Sequence, residues 1–151
     1  MSEPVKKSII AQQEEQMLKI WANEGTFEAS LKLRESGEVF SFYDGPPFAN
    51  GRPHWGGLMT SVLKDSVCRY KTMQGYYVPR RFGWDCHGLP PELEVEKQLD
   101  VHGKKAIKAY GVDKFLEACR ASVLQYTDIW RQYVTRIGRW VDFDDDYRTM
   151  D

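Results

Sequence analysis

The stretch Val39-Phe40-Ser41-Phe42-Tyr43-Asp44-Gly45-Pro46-Pro47-Phe48-Ala49-Asn50-Gly51-Arg52-Pro53-His54-Trp55-Gly56-Gly57 decides the fold, because an apolar run, a rigid loop and the start of a helical pattern follow one another in it. Residues 39–43 are aromatic-rich and lack clean alternation, the pattern of a strand buried on both faces of a parallel sheet. Past the loop, Met59, Leu63, Val67 and Tyr70 recur at helical spacing, so a helix is expected from about Gly57 to Gln74, closed by Gly75. Tyr76-Tyr77-Val78-Pro79 reads as a second strand, with Pro79 near its end, where a missing N–H does little harm. Strand, helix and strand in that order make a right-handed βαβ unit over residues 38–90, so the chain belongs to the α/β class. The loop then lies at the carboxyl end of a strand and the start of a helix, where α/β folds bind ligands. Free N–H groups and the positive dipole end of that helix favour an anion.

Residues 1–37 are expected to be helical. Ile10, Met17, Ile20 and Trp21 form one stripe of a helix from Ser8 to Asn23, stopped by Gly25, and a shorter piece runs from Phe27 to Glu35. Both should pack on an edge or face of the sheet. Residues 91–151 read as a helical segment. A surface-type helix spans Pro90 to Leu99, the chain turns at His102-Gly103-Lys104-Lys105, and a helix starts near Asp113 and ends at Gly138. Phe115, Cys119, Tyr126, Trp130, Tyr133 and Ile137 mark its apolar face. The tail Asp142-Phe143-Asp144-Asp145-Asp146 has the look of a divalent-metal loop, but without the glycine and terminal glutamate of an EF-hand it reads as solvated charge.

Composition removes several function classes. At 151 residues, 42% hydrophobic and 28% charged, the chain can bury one modest core. A net charge of -1 excludes a generally basic nucleic-acid coat. No segment approaches the roughly 18 apolar residues that span a membrane, so a cytoplasmic location is expected. Cys68, Cys86 and Cys119 are odd in number and form no C-x-x-C pair, which suits a reducing compartment. Cys86 and His87 are adjacent, a spacing that rarely chelates one ion, so no protein metal site is expected. Neither a G-x-G-x-x-G fingerprint nor a P-loop occurs.

Two groups stand out for chemistry. His54, at the helix start, is placed to donate a hydrogen bond to a phosphate; the alternative is a histidine that caps a turn. Gly56 lacks a Cβ, so a flat ring or a sugar could lie against the backbone; the alternative is a turn glycine. In Gly83-Trp84-Asp85-Cys86-His87-Gly88-Leu89-Pro90, followed by Glu92, Asp85 is a carboxylate just past a strand end and could pair with an ammonium. The alternative for Asp85 is an Asx turn. Lys64-Asp65 and Arg80-Arg81 read as surface or inter-element charges.

These stretches resemble the class I aminoacyl-tRNA synthetases, whose signature loop is His-x-Gly-His, and Asp44–Gly51 and Gly83–Pro90 are similar to the isoleucine branch. The resemblance implies the first half of a Rossmann-like nucleotide-binding fold. It implies activation of isoleucine with ATP, with Mg2+ accompanying the nucleotide, and transfer to tRNA(Ile). It assigns ATP to His54, Gly56 and Gly57, catalysis to His54, and the amino acid to Gly45, Pro46 and Asp85. Gly57 departs from the pattern, standing where the family has a histidine, and offers only its backbone N–H. Weakened ATP handling is expected. Glycine also costs about 1 kcal/mol relative to alanine inside a helix.

The resemblance covers essentially all 151 residues but only the amino-terminal part of a synthetase, without the Lys-Met-Ser-Lys-Ser loop, editing domain or anticodon-binding domain. The chain is therefore expected to be a fragment, a poor catalyst alone, and prone to self-association or docking on a chain that supplies the missing half. The alternatives are a deficient binding module for an adenine nucleotide or amino acid, and a decayed truncated segment.

Overall fold

The computed structural model describes residues 7–49, 51–123 and 125–150, so Asn50 of the quoted loop lies outside the described residues. Helix α1 (Ile9–Glu24) starts where Ser8 accepts a hydrogen bond from the Ala11 amide, and it stops at Gly25 in the left-handed conformation, φ 58°. Then follow α2 (Thr26–Lys32), α3 (Trp55–Met73), β1 (Arg81–Trp84), α4 (Leu89–Leu99), α5 (Gly103–Tyr110), α6 (Val112–Ser122), α7 (Thr127–Arg136) and β2 (Asp142–Arg148). The fold is mixed α/β.

The sheet departs from expectation in three places. Residues 39–43 do not form a regular, doubly buried strand: Val39 is 58% and Tyr43 85% exposed. The segment meets its neighbour at two isolated parallel bridges, Val39↔Tyr77 and Phe48↔Asp85. Phe40 N–H donates to Tyr77 O (2.9 Å) and Tyr77 N–H to Glu38 O (2.9 Å); Asp85 N–H donates to Pro47 O (2.8 Å) and Ala49 N–H to Asp85 O (3.1 Å). Between the bridges stand Pro46 and Pro47, which have no N–H to offer a ladder. The second expected strand is also displaced. Tyr77 makes only a bridge, and regular pairing begins after Pro79, at Arg81.

The third correction concerns the acidic tail, which is strand β2 and runs parallel to β1, with Arg81 opposite Asp142, Gly83 opposite Tyr147 and Trp84 opposite Arg148. Its carboxylates are paired as well as solvated. Asp144 lies 2.8 Å from Arg131, Asp145 3.0 Å from Arg81, and Asp146 accepts from Trp84 Nε1 at 2.6 Å. Aspartate is depleted in strands, which is why composition alone misassigns this run. In the helical part, His102–Lys105 leads into α5 rather than a plain turn, and the long helix expected from Asp113 to Gly138 is broken between α6 and α7.

The core gathers Ala49, Phe82, Trp84, Cys86, Val123, Trp130, Val134 and Val141. Phe82 stacks on Phe143 with ring centres 4.4 Å apart and lies 4.7 Å from Trp84. Two arginines tie the helices to this core. The Arg69 guanidinium sits 3.8 Å over the Trp140 ring and 5.2 Å from that of Trp21, holds Asp65 at 2.6 Å and donates to Gly138 O. Arg80 is buried and donates to Cys68 O at 3.1 Å and Thr72 Oγ1 at 2.6 Å, which joins the start of β1 to α3. No helix among the described residues is long and apolar enough to cross a membrane.

Burial pushes all three thiols, Cys68, Cys86 and Cys119, above their ordinary range, and the Tyr133 and Tyr147 phenols are pushed up in the same way. An acid whose folded pKa is raised is protonated more readily in the folded chain. Its stabilisation is complete below the unfolded pKa and is lost as pH rises through the folded value. We therefore expect the melting temperature to fall as pH climbs past about 8.5, the ordinary thiol value, and thiol reagents at neutral pH to label the native chain far more slowly than the denatured one. A melting temperature flat through this alkaline range would contradict the assignment.

Candidate functional site

The loop between the two bridges is held from below by a buried carboxylate. The Asp44 side chain is fully buried, with Oδ2 2.7 Å from Arg139 Nη2 and Oδ1 2.6 Å from Lys64 Nζ. The Lys64 contact is an ion pair rather than an aligned hydrogen bond. The Tyr147 hydroxyl donates to Asp44 O, and burial together with the Asp44 charge raises its pKa, so it stays a donor. Farther along, Gly51 O accepts from Trp130 Nε1 at 2.6 Å.

At the end of the loop His54 is the N-cap of α3, in an extended conformation, and its Nδ1 accepts from Gly56 N–H at 3.1 Å. The capping role that the sequence left as an alternative is thus realised. It does not use up the ring. With Nδ1 accepting, the neutral imidazole carries its proton on Nε2, which remains a donor. Gly56 is required by this arrangement, since a Cβ there would lie 2.9 Å from His54 Cε1. At Gly57 a Cβ would stand 3.3 Å from Trp130 Cη2, so a larger residue needs the indole to yield by a few tenths of an ångström.

Five of the six residues singled out by sequence line one cavity of about 430 Å³: Gly45, Pro46, His54, Gly56 and Gly57. Arg52, Lys64 and Arg139 stand on the same wall, and among the described residues no carboxylate does. Lys64 and Arg139 are already paired with Asp44, so Arg52 and the helix N-terminus are what suit the cavity to an anionic ligand. Asp85 is the exception, since it does not line this cavity. Its backbone pairs with Pro47 and Ala49 of the loop, and its carboxylate makes no hydrogen bond or ion pair among the described residues, so the Asx turn is not formed. Beyond it, a second cavity of about 530 Å³ is lined by Cys86, His87, Glu92, Asp113 and Glu117 among others, and there His87 Nε2 lies 2.6 Å from Thr149 O.

Sequence reasoning missed Arg139, Trp130 and Tyr147 as parts of this site and took Lys64 for an ordinary charge. The one local signal was Arg139 itself, a charge set among Gly138, Trp140 and Val141 directly after a helix stop.

A family model described as "tRNA synthetases class I (I, L, M and V)" matches residues 16–151. Among curated proteins, the chain is 55% identical over 138 residues to an isoleucine--tRNA ligase of Anaplasma marginale, covering 91% of this chain and 12% of that protein. It is 58% identical over 136 residues to one of Mycobacterium tuberculosis, covering 90% and 13%. With one of Treponema denticola the identity is 51% over 152 residues, covering 100% and 14%. The chain thus spans only a small part of the length of the relatives it matches.

Proposed function

The chain belongs to the class I tRNA synthetases, and from that premise we propose that it is the amino-terminal part of the catalytic domain of an isoleucine–tRNA ligase acting in the cytoplasm. On this proposal residues 38–90 are the first βαβ portion of a Rossmann-like fold, 1–37 are the N-terminal segment that carries α1 and α2, and 91–151 lead toward the insertion domain. The complete enzyme would join isoleucine to ATP as isoleucyl-adenylate and pass it to tRNA(Ile). Adenylation aligns two anions and needs little covalent help, so the protein's part is positioning and charge neutralisation. The observation that carries the proposal is the cavity lined by the His54 Nε2 donor, the N-terminus of α3 and Arg52, with no carboxylate on its wall among the described residues.

In this proposal His54 donates to a phosphate of ATP, more strongly as the transition state forms, and Gly56 leaves room for the adenine or ribose. Gly57 contributes only backbone. The cavity wall offers a magnesium ion no carboxylate among the described residues, so Mg2+ would be held by phosphate oxygens and screen their charge. Gly45 and Pro46 form the wall of the isoleucine pocket, and the Asp85 carboxylate, off that wall and unpaired among the described residues, takes the α-ammonium. A second reading, a module that binds adenine nucleotide or amino acid without turnover, is favoured by Gly57 alone.

Asp85→Asn tests the amino-acid half of the proposal. A charge-assisted hydrogen bond of roughly 1.5–3 kcal/mol corresponds to about 10- to 150-fold in isoleucine affinity. In a complete synthetase carrying this segment, calorimetry should show that loss for isoleucine with ATP affinity nearly unchanged. Equal loss of both ligands would make Asp85 structural.

A further inference from the structure

We infer that Lys64 is a positioning residue that sets the Gly45–Pro46 wall of the cavity, an inference that rests on the synthetase proposal above. Lys64 lies on α3, and its Nζ is 2.6 Å from Gly45 O as well as 2.6 Å from Asp44 Oδ1. One ammonium therefore bridges two consecutive loop residues to the helix that carries His54. The other side of Asp44 is fixed independently, by Arg139 on Oδ2 and by the Tyr147 hydroxyl on the backbone carbonyl. The carboxylate is thus a stationary anchor, and Lys64 transfers its position to Gly45.

The consequence follows from peptide geometry. Gly45 O belongs to the planar peptide that ends at the Pro46 nitrogen, and the Pro46 ring fixes its own φ, so orienting that carbonyl orients the proline ring. Pro46 and Lys64 line the same cavity. Lys64 side-chain exposure is 20%, low enough that water does not replace the contact freely. His54 is held by its own cap to Gly56 and does not depend on this bridge. Losing Lys64 should therefore disturb the amino-acid end of the cavity and spare the nucleotide end.

The test compares Lys64→Met and Lys64→Arg in a complete synthetase carrying this segment. Lys64→Met should raise KM for isoleucine about tenfold with KM for ATP within about twofold, because displacing a positioning group by a fraction of an ångström is felt locally. Lys64→Arg, which can still span Asp44 and Gly45, should recover most of the loss. A parallel rise in both KM values, or no change in either, would overturn the inference. Amide hydrogen exchange gives a readout that does not need activity: Lys64→Met should speed exchange at Ala49 and Asp85 and leave Gln74, at the far end of α3, unchanged. If the parent enzyme shows no isoleucine-dependent exchange of pyrophosphate, the synthetase proposal fails by itself, and the amide rates still decide whether Lys64 holds the loop.

Discussion

His54→Ala in a complete synthetase carrying this segment is expected to slow isoleucine-dependent ATP–pyrophosphate exchange by about 10²–10³, the usual cost of removing one preorganised donor from a developing charge. Two functions of the imidazole are lost together. Nε2 no longer donates into the cavity, and Nδ1 no longer caps α3 through Gly56 N–H. The cap alone is worth about 0.5–2 kcal/mol of stability. His54→Asn separates them, because asparagine is a good N-cap but its shorter side chain cannot cap and also place a donor where Nε2 stands. Its melting temperature should return close to that of the parent while the exchange rate stays low. A rate restored along with stability would mean that His54 acts only as a cap, and a loss under about tenfold for His54→Ala would remove it from the chemistry.

The second large effect is on stability. Gly83 pairs with Tyr147 across the parallel strands, and a Cβ at position 83 would overlap the Tyr147 ring and hydroxyl. The ring cannot simply swing away, since its hydroxyl donates to Asp44 O beneath the loop. Overpacking usually costs about 1–3 kcal/mol, and a clash with an anchored ring belongs at or above the upper end of that range. Gly83→Ala should lower the unfolding free energy by about 3 kcal/mol in denaturant titration. Tyr147→Ala removes the obstacle, so in the double variant the Gly83→Ala change should cost almost nothing further. Additive losses would show that the ring is not what requires glycine there.

The helices were largely legible because their signals are local. Ser8 and Gly25 bound α1, and the apolar spacing of Met59, Leu63, Val67 and Tyr70 marks α3. That spacing identified the helix but not its environment, for Met59, Leu63 and Tyr70 remain more than half exposed. Strands were harder. Nothing near Asp142–Arg148 announces that Phe143 stacks on Phe82 or that Trp84 bonds to Asp146, because both contacts join residues about 60 positions apart. The site divides in the same way. His54, Gly56, Gly45 and Pro46 lie within one short stretch, the loop and the start of α3, that a motif can name, whereas Arg139, Trp130 and Tyr147 reach it only through tertiary packing. Asp85 was legible as a residue but not in its placement, since its backbone bridges the loop while its carboxylate lies off the cavity wall.

The pairing of β1 with a strand so much later in the chain also sets an order of events during synthesis. Asp146 follows its partner Trp84 by 62 positions. At about 5–20 residues per second, a ribosome needs roughly 3–12 s to make that interval. Through this time α1, α3 and the signature loop can form, but Tyr147 has not yet been made to secure Asp44, and Phe82 lacks the ring that covers it. The nascent chain must therefore hold an apolar strand open while four helices, α4 to α7, emerge, which makes this interval the one in which a chaperone binding Phe82 and Trp84 would most affect yield.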